Sequence, residues 1–178
     1  DRLQVDVEPL AELRAPLGQF SITGNHEYYS GVHDWTAQTE RLGFSVLLND
    51  SRLIKRGEHS IALVGVTDFG AENIVPEHRS DPQGTLANTP KADLTILLAH
   101  QPRSIHAAAG ADIQLSGHTH GGQFVPWKYI VPLQQTYLAG LHRHKSTWLY
   151  VHSGCGYWGP PLRLCAPSEI ALHTIRTP

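Results

Sequence analysis

The chain has 178 residues, 40% of them hydrophobic and 17% charged, with a formal net charge of -2. Length and balance fit one globular domain over 1–178 and exclude a disordered or fibrous chain. No Lys/Arg run marks a nucleic-acid patch, and the longest apolar stretches, near 61–66 and 94–99, fall far short of the ~20 residues of a membrane span.

Residues 7–15 have the pattern of a short amphipathic helix. Residues 18–23 ("GQFSIT") read as a strand that breaks at Gly24. Residues 33–43 carry a helical pattern that ends at Gly43. Strands are expected over 44–48, 52–56 and 60–66, the last apolar enough to be buried on both faces. Residues 69–92 are rich in Pro, Asp, Asn, Gly and Glu, which predicts a long loop near the mouth of any site. A buried strand follows over 93–100, a helix over 104–110 and a strand over 111–117. Residues 125–147 look irregular, and late strands are expected over 147–154 and 168–176. Strands alternating with helices suggest an α/β sandwich. Cys155 and Cys165 are too few for a disulfide framework and are read as free thiols.

Three strands end in polar residues that bind metals well. "GNHE" (24–27) follows the first strand, His100 follows "TILLA", and "GHTH" (117–120) follows "DIQLS". On a regular strand, side chains two apart share a face and neighbours do not, but loop geometry decides where His118 and His120 point, and Gly117, Gly121 and Gly122 leave that loop free to turn. Imidazole suits Zn, Mn and Fe, and ligand sites in α/β sheets gather at the carboxyl ends of strands. An isolated histidine or a Gly-Asn turn has a structural explanation; the same pattern at three strand ends points to one site.

The ordered set "GNHE", "AH" and "GHTH", with "LLAHQP", "LSGHTHGGQ" and "GYWGPPLR", resembles the calcineurin-like metallophosphoesterase family, in its bacterial phosphodiesterase branch. The similarity covers nearly the whole chain. It implies a four-layer α-β-β-α sandwich and hydrolysis of a phosphoester, notably a phosphodiester, by a metal-bound hydroxide that attacks phosphorus. It implies two divalent ions, Mn, Fe or Zn. One would be held by Asn25, His100 and His118, the other by His120. His26 would contact the phosphate and protonate the leaving group, supported by Glu27. The substrate would be a small-molecule or lipid-type phosphoester. The branch is often membrane-associated or exported, while this chain itself reads as soluble.

The family's D-x-H and G-D-x-x-D motifs are absent. With 12 His and no Met, the chain reads as the C-terminal portion of the domain, without its first strands. The site is then expected to hold two ions, one or none, and Asp1, Asp34, Asp68 and Asp112 are carboxylates that no motif assigns. An uncovered sheet edge favours self-association. The competing expectation is a catalytically incomplete fragment that keeps the fold and at most one metal.

Overall fold

Apolar runs form the strands, and proline and glycine set the ends of the elements. In the computed structural model, which describes residues 2–176, α1 (Arg2–Val7) passes into a 3-10 turn (Glu8–Glu12). The helix expected over 7–15 therefore lies earlier: Pro9 has no N–H to continue it, and the chain tightens there. β1 is only Phe20–Ser21, followed by α2 (Asn25–Tyr29) and α3 (Val32–Arg41). Gly43 takes φ +96°, and α3 ends just before it, as the sequence indicates. β2 (Ser45–Val46) pairs parallel with β1.

β3 (Asp50–Arg56) and β4 (His59–Gly65) form an antiparallel hairpin. The segment expected to be a loop over 69–92 contains two 3-10 turns and α4 (Pro82–Asn88), which Asp81 caps by accepting the Gly84 N–H at 2.8 Å. β5 (Leu94–Leu98) and β6 (Ile113–Ser116) follow, linked by a 3-10 turn (Pro102–Ala107) where a helix over 104–110 was expected. The region 125–147 is more ordered than its composition suggests: it holds α5 (Trp127–Ile130), a further 3-10 turn and β7 (Gly140–His144). β8 (Thr147–Val151) completes a six-stranded sheet in the order β3-β4-β5-β6-β8-β7. The four central strands run parallel and the two edge strands antiparallel. The result is an α/β fold with a mixed central sheet.

The strand expected over 168–176 does not form. Ile170 and Leu172 alternate as a strand would, but both are 94% exposed and no neighbouring strand pairs with them. Alternation alone does not make a strand; it needs a ladder partner. Cys155 and Cys165 are free and exposed.

The sheet buries both faces. On one, Leu63 and Ile96 pack with Leu47, Phe20 and Ile22 of the small β1–β2 sheet and its flanks. On the other, Val64, Leu97, Leu149 and Val151 pack against Ile105 and Ala108 of the turn after β5. Among the described residues, no helix is long and apolar enough to cross a membrane.

Candidate active site

β5 and β6 are neighbours and parallel, so the residues that follow them leave the sheet side by side. The Gly117 N–H donates to the His100 carbonyl at 3.0 Å and extends that pairing to the site. Beyond it the backbone turns sharply: His118, His120 and Gly121 have φ of +68°, +52° and +60°. Left-handed conformations are costly outside glycine, of order 1–3 kcal/mol each, and mark places where the fold imposes a side-chain direction. Thr119 fixes the turn by donating its hydroxyl to the Leu138 carbonyl at 2.6 Å. From the third strand end, α2 begins at Asn25, and Glu27 accepts the Gly24 N–H at 2.7 Å.

Three atoms converge. Asn25 Oδ1 lies 2.9 Å from His100 Nε2 and 3.3 Å from His118 Nδ1, and the two nitrogens are 3.1 Å apart. The imidazoles meet edge to face, with centroids 5.0 Å apart. Gly24 makes this possible: a Cβ there would stand 2.8 Å from His100 Cε1. Burial pushes the His100 pKa down to about 3, helped by His118, His26 and His120. Burial also lowers His118, against the pull of Asp68, and lowers His120, with Arg163 adding to it. Near neutral pH these rings are therefore uncharged, with a lone pair to offer.

This donor set fits a divalent cation. Adjacent ligands with bonds of about 2.1 Å at right angles lie about 3 Å apart, the spacing seen here. Among the described residues, no group of three or more His, Cys, Asp or Glu is placed to hold a metal; the triangle has two imidazoles and an amide oxygen. His120 does not join the triangle. It lines the same cavity, and its Nδ1 is buried with no hydrogen-bond partner among the described residues.

His26 is exposed and faces that cavity, its ring 5.8 Å from Tyr29. The Glu27 bond to Gly24 means that any support it gives His26 runs through the start of α2. The cavity, of about 320 Å³, continues from the histidines to Trp127, Val131 and Trp158. A second hollow of about 450 Å³ shares Asn25, Tyr29, His118, Gln134 and Gln135 with it and reaches Asp68, Arg103 and Asn73.

Asp68 is the residue that sequence reasoning left unassigned. Its carboxylate is 1% exposed and accepts from Gln101 Nε2 at 3.1 and 3.2 Å and from the Gly70 N–H at 2.9 Å. Gln101 accepts in turn from Gln135 at 2.9 Å. The signal in the sequence was faint: an acid directly after the apolar run of β4. Asp1 lies outside the described residues, and Asp34 and Asp112 line neither hollow. His142, after "LAG", donates its Nε2–H within its own loop, to the Ala139 carbonyl at 2.8 Å, and packs on Tyr137. Tyr28 is buried packing, while Tyr29 and Trp158 line the cavity.

No family model matches the chain. It is 43% identical over 170 residues to an uncharacterized metallophosphoesterase of Helicobacter pylori, a match that covers 92% of this chain and 44% of that protein. The chain belongs to the calcineurin-like metallophosphoesterases. Another metallophosphoesterase relative is a transmembrane protein with metallophosphoesterase domain from Bos taurus, 38% identical over 94% of this chain and 41% of its own. Among solved structures, a sulfate thiohydrolase of Thermus thermophilus superposes with a TM-score of 0.52 at 18% identity, over 75% of this chain and 27% of its own; this is a likeness of fold. The chain thus spans under half the length of these metallophosphoesterase relatives.

Proposed function

We propose that this chain is the part of a metal-dependent phosphodiesterase that holds Asn25, His100 and His118 around one divalent cation. The convergence of those three atoms at 2.9–3.3 Å carries the reading. His120, with its unpartnered buried nitrogen, is assigned to a second ion. Mn, Fe and Zn all suit nitrogen and oxygen donors. A bound cation supplies Lewis-acid polarisation of a phosphoryl group and of water. Around it the chain's own groups orient the ester. His26, exposed at the cavity, is placed to give a proton to the leaving oxygen. The two hollows that share Asn25 and His118 supply room for an arm on each side of phosphorus, which favours a diester over a monoester.

The packing of Phe20, Ile22 and Leu47 onto the six-stranded sheet supports a further reading, that the small sheet belongs to the second β layer of an α-β-β-α sandwich.

The test is hydrolysis of bis(p-nitrophenyl) phosphate and p-nitrophenyl phosphate after loading with Mn²⁺, alongside metal content per chain. The expected result is faster turnover of the diester, lost in His118→Ala and reduced about 10²–10⁴-fold in His26→Ala with metal content kept. Metal retained without turnover of either ester by the parent chain supports the catalytically incomplete alternative instead.

A further inference from the structure

The cavity has two lips, and both are apolar where they meet water. One is formed by 124–133. Trp127 and Val131 line the cavity from it, and Val125, Tyr129, Ile130 and Leu133 stand exposed, Leu133 at 83%. The other lip is the loop 157–164. Trp158 lines the cavity there, with Tyr157, Leu162 and Leu164 exposed. The lips are joined rather than adjacent by chance. Trp127 and Trp158 approach to 5.6 Å between centroids. Gln123, fully buried, donates to the carbonyls of Trp158 and Pro160 at 2.8 and 3.3 Å and accepts the Trp158 N–H at 2.9 Å.

Charge is distributed to match. Residues 113–168, which include both lips, contain no Asp or Glu; of their cations Lys128 and Arg163 lie in the lips, Arg163 donating to the carbonyls of Gly156, Ser153 and Ala166, while Arg143 and Lys145 lie on β7 and the turn after it. The chain as a whole is net negative, so this stretch, under a third of it, is cationic against an acidic remainder. Lys128 lies along the exposed Tyr129, its Nζ 5.2 Å from the ring centroid. Exposed Leu and Ile beside Trp, Tyr and Lys, with carboxylates excluded, is the composition that sits at the boundary of an anionic bilayer, where rings and aliphatic chains enter and cations meet head groups.

We propose that the two lips dock on an anionic lipid bilayer and open the cavity onto head-group phosphates. The substrate is then a phosphoester held in, or released from, that surface; this step rests on the phosphoesterase reading, whereas the docking does not.

The experiment is co-sedimentation of the full chain, without added metal, with vesicles of phosphatidylcholine alone or mixed with phosphatidylglycerol. The expected result is partition into the mixed vesicles, weakened by high salt and weaker still on phosphatidylcholine alone. Leu133→Glu and Lys128→Glu should each lower it, Leu133→Glu by about tenfold or more, since it replaces an inserting side chain with a charge. Leu172→Glu, which alters the equally exposed C-terminal segment, should leave it unchanged. Melting curves of the variants check that these surface changes leave the fold intact. No partition, equal partition into both vesicle types, loss in Leu172→Glu in place of Leu133→Glu, or a dimer that buries the lips and is broken by Leu133→Glu would each overturn the proposal. Diester hydrolysis in solution, assayed separately, shows whether the phosphoesterase reading stands in its own right.

Discussion

Gly24→Ala tests the site through a single methyl group. Gly24 has φ −101° and ψ −177°, extended backbone open to any residue, so alanine adds no backbone strain. The added Cβ would lie 2.8 Å from His100 Cε1 and 2.9 Å from both ring nitrogens. Ordinary contact begins near 3.4 Å, so the ring must retreat by about 0.6 Å, about three times the ~0.2 Å tolerance of a metal–ligand distance. His100 Nε2 then leaves its place 2.9 Å from Asn25 and 3.1 Å from His118. Overpacking costs about 1–3 kcal/mol of stability, and Mn²⁺ affinity should fall about 10–100-fold. Calorimetric titration with Mn²⁺ measures the affinity, and thermal melting reads the stability. A double-mutant cycle with His100→Ala locates the effect: if it runs through the ring, Gly24→Ala adds little once the ring is gone. Unchanged Mn²⁺ affinity, or the same loss in both backgrounds, would refute the reasoning.

Acid should weaken the fold through the same ring. His100 titrates at about 3 in the folded chain against 6.5 unfolded, so the unfolded state binds the extra proton between those values. Its contribution is complete above 6.5 and is lost as pH falls toward 3; about one unit below 6.5 the loss is about 1.4 kcal/mol, and a melting temperature that stays flat across that interval would contradict it. Asp68→Asn keeps the shape of the buried chain of amides but removes the negative charge beside His118. Mn²⁺ affinity should drop about tenfold or more while near-ultraviolet dichroism is retained; equal affinity would make Asp68 a purely structural residue. Gln123→Ala removes three hydrogen bonds from a fully buried position. It should cost about 2–4 kcal/mol and expose the 157–164 loop to proteolysis at Arg163, and resistance equal to the parent would count against its role as the clamp between the lips.

The meeting of Asn25, His100 and His118 was easier to read than the fold around it. Asn25, His100 and His118 each lie within two to four residues of a strand's end, and short apolar runs show clearly in sequence. Their convergence depends on β5 and β6 lying side by side, which the punctuation at three strand ends reflects but periodicity cannot give. The left-handed turn at His118–Gly121 was legible only as freedom offered by glycine; that His118 and His120 themselves take positive φ is a tertiary effect. Asp68 stayed unassigned because a buried acid and an exposed one look alike until Gln101 and Gln135 close around it. The expected strand over 168–176 failed for the opposite reason: Ile170 and Leu172 supply the right alternation, but pairing is a property of a neighbour and cannot be read from the segment.

The donor atoms are far apart along the chain. Asn25 meets His100 across 75 positions and His118 across 93. During synthesis, then, Asn25 is made long before either of its partners exists. The triangle cannot be assembled by local structure, nor by a partly folded intermediate that lacks the β5–β6 pairing. Capture of the proposed cation would thereby be tied to the β5–β6 pairing. A cation arriving before that pairing would find only single side chains, and one arriving after it would join three distant stretches at once. The proposed half-site would then respond to that pairing, before β7 and β8 are needed.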